Sequence, residues 1–212
     1  MIRVVVADGQ QLLREGLKKT FQDNQHDIEV VGEASNTAEL MHLLGIIHPD
    51  IVILDICMPD RAGLEIVKDL RSRFPKIPIL VLSVYPEDRF AVRTLRAGAS
   101  GYLTKYCTNR EIIDAVKRIV VLKRKYISTQ VAEQLALQID QSLRHMPHEG
   151  LSDREYQIFI MISAGKKVSV IASELMLSMQ TVHTYRSRIK KKLNMRSNVE
   201  LARYALQHGL IE

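Results

Sequence analysis

The chain has 212 residues, of which 46% are hydrophobic and 25% charged. That length suits one large or two modest domains, and the balance is that of a folded globular chain. Apolar runs such as Ile51 to Leu54 are far too short to span a bilayer. Met1 leads straight into a strand-like run without a basic n-region and long apolar stretch, so neither a secretory signal nor a membrane span is expected. Cys57 and Cys107 are the only cysteines. A disulfide scaffold is therefore not expected, and a reducing cytoplasm is the simplest setting. The net charge of +6 is uneven: residues 1–121 hold 16 Lys+Arg against 16 Asp+Glu, residues 122–150 hold 4 against 3, and residues 151–212 hold 10 against 5.

In chain order, short β-branched runs alternate with helical patterns up to residue 121. The strands fall at Ile2–Val6, Glu29–Gly32, Ile51–Leu54, Ile79–Leu82 and Ser100–Leu103. Helices fall near 12–24, 36–46, 63–73, 86–97 and 109–121. Continuous apolar strands alternating with helices imply a parallel sheet covered on both sides. The expected fold of residues 1–121 is thus α/β, a doubly wound five-stranded parallel sheet. Residues 122–150 are expected to be a linker with a helix over Ser128 to Leu143, where Val131, Leu135 and Ile139 share a face. The polar run Arg144 to Gly150 carries Pro147 and is expected to be the flexible joint.

Residues 151–212 are expected to form a small all-α domain. Ser152 and Glu155 have capping-box spacing, and Leu151 with Tyr156 can form a hydrophobic staple. Gly165 suits the end of that helix, a short helix runs from about Val168 to Met176, and Ser178 can cap the next. A last helix spans Ser197 to His208. Helix, tight turn, basic helix is the helix-turn-helix arrangement.

From Met179 to Arg196 there are six basic residues and no acid. Helical phase puts Val182, Tyr185, Ile189 and Leu193 on one side, and His183, Thr184, Ser187 and Lys191 on the other. A cationic cluster is commonly only a solvated face. Its coincidence with an amphipathic helix points instead to a duplex groove, with cations on phosphates and polar groups on base edges. His183, Thr184 and Ser187 are the candidates for base contacts, and Lys191 for a base or a phosphate. Arg186, Arg188, Lys190 and Lys192, with Lys167 on the scaffold helix, are the phosphate candidates.

Chemistry in an open parallel sheet gathers at the C-terminal strand ends. Asp8, Asp55, Ser83 and Lys105 fall there, each closing an apolar run. Singly, each has a bland explanation as a cap or a solvated charge; together they suggest a site. A phosphatase-like enzyme with Asp55 as nucleophile would want a second Asp at position 57, which is Cys. A nucleotide site would want a Gly-rich turn where Asp8-Gly9-Gln10-Gln11 stands, and two distant cysteines with scattered histidines argue against zinc.

The motifs Leu151-Ser152-x-Arg154-Glu155, Gly165, Ile171-Ala172, Leu175, Ser178-x-x-Thr181-Val182 and Lys192-Leu193 resemble the LuxR-type helix-turn-helix. Residues 1–121 resemble the receiver domain of two-component response regulators. Together the halves resemble the NarL/FixJ subfamily over essentially the whole chain, and Tyr185-Arg186-Ser187-Arg188 is similar to its GacA/UvrY-type members. The resemblance implies a DNA-binding regulator rather than an enzyme. In it Asp55 would accept a phosphoryl group from a sensor histidine kinase, and Lys105 would pair with the phosphoryl oxygens. Ser83 would bond one of those oxygens, and Tyr102 would then move inward. It also implies Mg²⁺ bridging Asp55, an acidic pair after the first strand and the Cys57 backbone carbonyl. A homodimer would then set two recognition helices on an inverted repeat of double-stranded DNA.

The sequence departs from that pattern at Gly9, where the second acid of the pair is expected, and at Ala62, where Asp is usual before Gly63. Losing a carboxylate weakens a divalent-cation site, and Gln10 offers only a neutral oxygen. Two readings follow: a regulator switched by phosphorylation of Asp55, or one with a degenerate receiver that binds DNA independently of phosphate and uses the receiver to dimerise or dock partners.

Overall fold

The computed structural model describes residues 1–23, 27–58, 60, 63–133 and 146–211. They form two compact units, Met1–Ile139 and Asp140–Glu212.

The first unit is built of β1 (Ile2–Ala7), α1 (Gln11–Asp23), β2 (Ile28–Ala34), α2 (Thr37–Ile46), β3 (Ile51–Leu54), α3 (Glu65–Arg73), β4 (Ile79–Ser83), α4 (Glu87–Arg96), β5 (Gly101–Thr104) and α5 (Asn109–Val120). All strand pairs are parallel, in the order β2-β1-β3-β4-β5. Strands β3 and β4 are buried at every residue, as their unbroken Ile/Val/Leu runs demand of strands covered on two faces. On one face Val4, Val6, Ile51, Ile53, Leu80 and Leu82 share a core with Leu17 and Phe21 of α1 and Ile112, Val116 and Ile119 of α5. Val5, Val52 and Val81 alternate to the other face and are equally buried.

The elements expected up to residue 121 are all present, with ends displaced by two residues at most. Strand β2 runs on to Ala34 because it pairs with the whole of β1, from Ile2 with Ile28 to Ala7 with Ala34. Helix α3 begins late because Gly63, at φ +91, still belongs to the turn. Local chemistry sets other ends: Asn36 caps α2 by accepting from Glu39 N at 2.9 Å, and Thr108 with Glu111 closes a capping box on α5.

The linker begins as an extension of the sheet. Tyr126 N donates to Ser100 O at 2.8 Å, and Tyr126 bridges Gly101 in parallel, at the free edge of β5. Ser128 then caps a helical stretch over residues 129–133 by accepting from Val131 N at 3.3 Å, and Val131 is buried. The remainder of the helix expected to Leu143, with Leu135 and Ile139, lies outside the described residues, as do Arg144, His145 and Ala62.

The second unit holds a 3-10 turn (Pro147–Gly150), α6 (Asp153–Ser163), α7 (Val168–Glu174), α8 (Met179–Lys192) and α9 (Asn198–Gln207). Within the run expected to be the joint, His148 Nδ1 lies 3.0 Å from Tyr204 Oη, which docks the 3-10 turn onto α9. The capping box of α6 forms as expected, and Leu151 and Tyr156 are both buried. Ile158, Phe159, Ile171, Val182, Ile189, Leu201 and Ala205 fill the core between the helices. Arg154, itself buried, donates to Leu175 O at 2.9 Å and to Gln157 Oε1 at 2.6 Å, fastening the end of α7 to α6. Among the described residues no helix is long and apolar enough to cross a membrane.

Gly101 leaves no room for a side chain, since a Cβ there would lie 2.9 Å from Tyr126 Cβ and 3.0 Å from Leu80 Cδ1. Gly101→Ala should lower unfolding stability by about 1–3 kcal/mol, the cost of overpacking. In thermal or urea unfolding Tyr126→Gly, which removes the Cβ that Gly101→Ala would meet, should recover part of that loss in the double variant; strictly additive effects would show that the two residues do not meet.

Candidate functional site

Sheet register builds the first site. Ala7 pairs with Leu54, so Asp8 and Asp55, the next residues, leave adjacent strand ends side by side. Ser83 pairs with Thr104, and Lys105 N donates to Ser83 O at 2.7 Å, which starts the Lys105 side chain from the same rim. Its ammonium reaches both acids: Nζ lies 2.7 Å from Asp8 Oδ2 and 2.8 Å from Asp55 Oδ2, with all three side chains almost wholly buried. Only the Asp55 contact has the alignment of a hydrogen bond. Backbone N–H groups hold the other oxygens, Cys57 N on Asp55 Oδ1 at 2.9 Å and Gln10 N on Asp8 Oδ1 at 2.8 Å.

With both carboxylates ionised, one cation faces two anions. Burial raises the Asp55 carboxyl above the usual carboxylate range; Lys105 opposes this and the nearby Asp8 charge adds to it. Burial alone would depress the Lys105 ammonium, and attraction to Asp55 more than reverses that, so its affinity for a proton is raised. With both acids ionised the pocket carries a net negative charge, and the Lys105 ammonium is a fixed cation able to meet an incoming anionic group.

Mg²⁺ takes hard oxygen ligands in near-octahedral geometry. Asp8, Asp55 and the Cys57 carbonyl are hard oxygens of the right kind. Gly9 adds none, and among the described residues no group of three or more His, Cys, Asp and Glu side chains is arranged to hold a metal ion. The residues fit Mg²⁺ in kind, with two carboxylates and one carbonyl among them.

Ser83 is fully buried and accepts from Tyr85 N at 3.3 Å. Tyr102 stands inside the sheet end, 1% exposed: its hydroxyl donates to Tyr85 O at 2.8 Å and also bonds with Ser83. Sequence reasoning missed two supports of the pocket. Arg14 Nη1 donates to Asp8 O at 2.6 Å from one turn into α1. Asp60 accepts from Thr37 N at 2.8 Å and Ala38 N at 3.2 Å, tying the loop after Asp55 to the start of α2. An Asp shortly after a strand end is a common cap, but nothing local names which helix it caps.

The second site is α8. Val182, Ile189 and Leu193 are buried as phase requires, and Ser178 caps the helix by accepting from Thr181 N at 3.0 Å. Thr184, Ser187, Arg188, Lys191 and Lys192 are exposed, His183, Arg186 and Lys190 are half-buried, and Lys167 is exposed just before α7. Three candidates are partly committed within the fold. Thr184 donates its hydroxyl to Gln180 O at 3.0 Å, leaving it an acceptor and a methyl group. Lys190 donates to Arg196 O at 3.3 Å, and Lys192 to Glu155 Oε2 at 2.6 Å. Lys192 thus fastens α8 to the buried capping residue of α6, a structural duty on top of its charge.

Residues 4–117 match the response regulator receiver domain family, and residues 149–205 match the bacterial regulatory proteins of the luxR family. The chain belongs to the response regulators of the NarL/FixJ subfamily, which join these two parts. It is 40% identical over 213 residues to the response regulator GacA of Pseudomonas aeruginosa, covering 100% of this chain and 99% of that one. It is 36% identical over 211 residues to the response regulator UvrY of Escherichia coli K12, covering 99% and 96%. The fold is also that of the RcsB response regulator of Salmonella typhimurium, with a TM-score of 0.66 at 22% identity over 97% of each chain.

The Glu155 carboxyl is held below its usual range: burial pushes it up, and the hydrogen bonds from Lys192 and Ser152 outweigh that. A carboxyl lowered on folding contributes stability above its unfolded value near pH 4.3, and that contribution is lost as pH falls through the folded value. Glu155→Gln should cost about 1 kcal/mol near neutrality and flatten the acid side of the stability profile below about pH 4. An unchanged acid limb in urea titrations would remove Glu155 from this role.

Proposed function

We propose that the chain is a DNA-binding transcriptional regulator of a two-component system, whose receiver takes a phosphoryl group on Asp55 and thereby controls promoter binding by α8. The observation that carries this is the buried Asp8–Lys105–Asp55 cluster at the strand ends. An Asp55 oxygen attacks phosphorus of a phosphohistidine on a sensor kinase; the phosphorus–nitrogen bond breaks, and the histidine nitrogen keeps the electron pair. Lys105 stands where it can neutralise the new phosphoryl oxygens. Mg²⁺, when held by Asp8, Asp55 and the Cys57 carbonyl, would supply further charge neutralisation.

The chain of contacts from the pocket suggests how occupancy reaches the tether. Ser83 bonds Tyr102 and the Tyr85 backbone, and the Tyr85 ring lies 4.7 Å from that of Phe90 in α4. At the start of the same helix the Glu87 side chain hydrogen-bonds Ser128, the cap of the linker helix. A phosphoryl group adds about −1.5 to −2 charges and three acceptor oxygens beside Ser83 and Lys105. Displacing them moves a strut that ends where the linker begins. Dimers formed through the receiver would place two copies of α8 on an inverted repeat, in a protein whose work is done on cytoplasmic DNA.

On the DNA side, Ser187→Ala should reduce discrimination at one base position by about 1–3 kcal/mol. Lys190→Ala should weaken all duplexes alike and lower the salt slope by about one. Identical behaviour of the two variants in competition binding would refute this division.

For the receiver, pure protein with acetyl phosphate and Mg²⁺ should gain one phosphoryl group by mass spectrometry, and Asp55→Asn should gain none. Because a carboxylate is missing, Gly9→Asp should lower the half-saturating Mg²⁺ concentration about tenfold or more. Labelling that persists in Asp55→Asn, or is saturated by trace Mg²⁺ in the unaltered protein, would contradict the assignment.

A further inference from the structure

We propose that the turn Lys123-Arg124-Lys125, with Arg118 beside it, is a second and sequence-blind DNA contact carried by the receiver unit. It rests on the reading of the chain as a DNA-binding regulator and adds a surface outside the helix-turn-helix.

Residues 115–132 hold five Lys and Arg and no acid. Arg118, Lys123, Arg124 and Lys125 are all exposed, and among the described residues none of the four takes part in an ion pair. The turn is pinned at both ends. Arg124 N donates to Arg118 O at 3.3 Å and Tyr126 N to Ser100 O at 2.8 Å, Lys123 adopts φ +54, and the half-buried Tyr126 ring packs against the sheet core. Three adjacent cations held on a fixed turn repel one another. Lys117 and Arg118 stand in the last turn of α5, where the helix dipole favours cations. Lys123, Arg124 and Lys125 lie past the helix end, and among the described residues no ion pair offsets their repulsion.

The partner they suit is a regular row of anions, and a duplex offers one phosphate charge per roughly 1.7 Å of axis. DNA is favoured over other polyanions by the tether. About 26 residues separate Lys125 from Leu151, a reach of at most roughly 90 Å when extended. Once α8 is seated, the turn is confined to within that reach of the same duplex, so individually weak phosphate contacts add to the affinity.

The test is fluorescence anisotropy of the full-length protein on a mixed-sequence duplex of about 40 bp, titrated across salt. The patch variant Lys123→Gln/Arg124→Gln/Lys125→Gln is compared with wild type. A control removes three exposed receiver cations elsewhere, Lys19→Gln/Arg73→Gln/Lys76→Gln. Thermal unfolding checks that each variant folds, and the single change Lys125→Gln serves if the triple does not. The patch variant should lower the magnitude of the salt slope by about two to three and weaken binding about tenfold or more at low salt; the single change should lower the slope by about one, and the control by less than one. A patch slope equal to the control or to wild type overturns the proposal. So does loss of binding only to phosphatidylglycerol vesicles, which would assign the turn to membranes. Wild type that binds no duplex at any salt would sink the DNA-binding reading itself, a separable result.

Discussion

A single ammonium shared by two buried carboxylates is the constraint around which the receiver is arranged. Taking three charges out of water is expensive, and such a cluster survives only when each charge is closely paired or hydrogen-bonded. Here register does the placing: strands β1 and β3 end together, and Lys105 leaves the sheet beside Ser83. Backbone donors at Gln10 and Cys57 take the remaining oxygens. With both acids ionised the cluster is one negative charge out of balance. A metal ion, a phosphoryl group or a partner that alters that balance changes the forces on Lys105 first and on the Ser83 strand end next.

Those forces have somewhere to go. Ser83, Tyr102 and Tyr85 form one hydrogen-bonded knot beneath the pocket, and Tyr85 touches α4 through Phe90. The linker lies along β5 through Tyr126 and bonds α4 through Ser128. The tether to the DNA-binding half therefore begins in contact with the elements that would feel the pocket.

Much of this was legible in the chain because it is written in short-range pattern. Unbroken apolar runs marked the strands, polar residues closing those runs marked the pocket, and 3.6-residue phase marked the buried and exposed faces of α8. Ser152, Ser178 and Glu155 announced helix starts because capping needs only neighbours. What escaped depends on partners distant in sequence. Nothing local says that Asp60 caps α2, that Arg154 holds Leu175, that Lys192 turns back to Glu155, or that Tyr126 lies along β5. The commitment of Thr184 to Gln180 is local, yet helical phase alone could not show it, since phase gives direction and not hydrogen-bond state. The docking of His148 on Tyr204, across 56 positions of sequence, is likewise beyond what Pro and Gly in that run announce.

The central claim joins the two halves: the charge state of the strand-end pocket sets how strongly α8 grips DNA. The most direct measurement is a DNase footprint of the pure protein on genomic fragments, with and without acetyl phosphate and Mg²⁺, beside Asp55→Asn. The account predicts a two-fold symmetric protected site that is reached at lower protein concentration after phosphorylation, and no such gain for Asp55→Asn. Protection that is indifferent to acetyl phosphate would detach the pocket from the DNA, and absence of any protected site in either state would contradict the account as a whole.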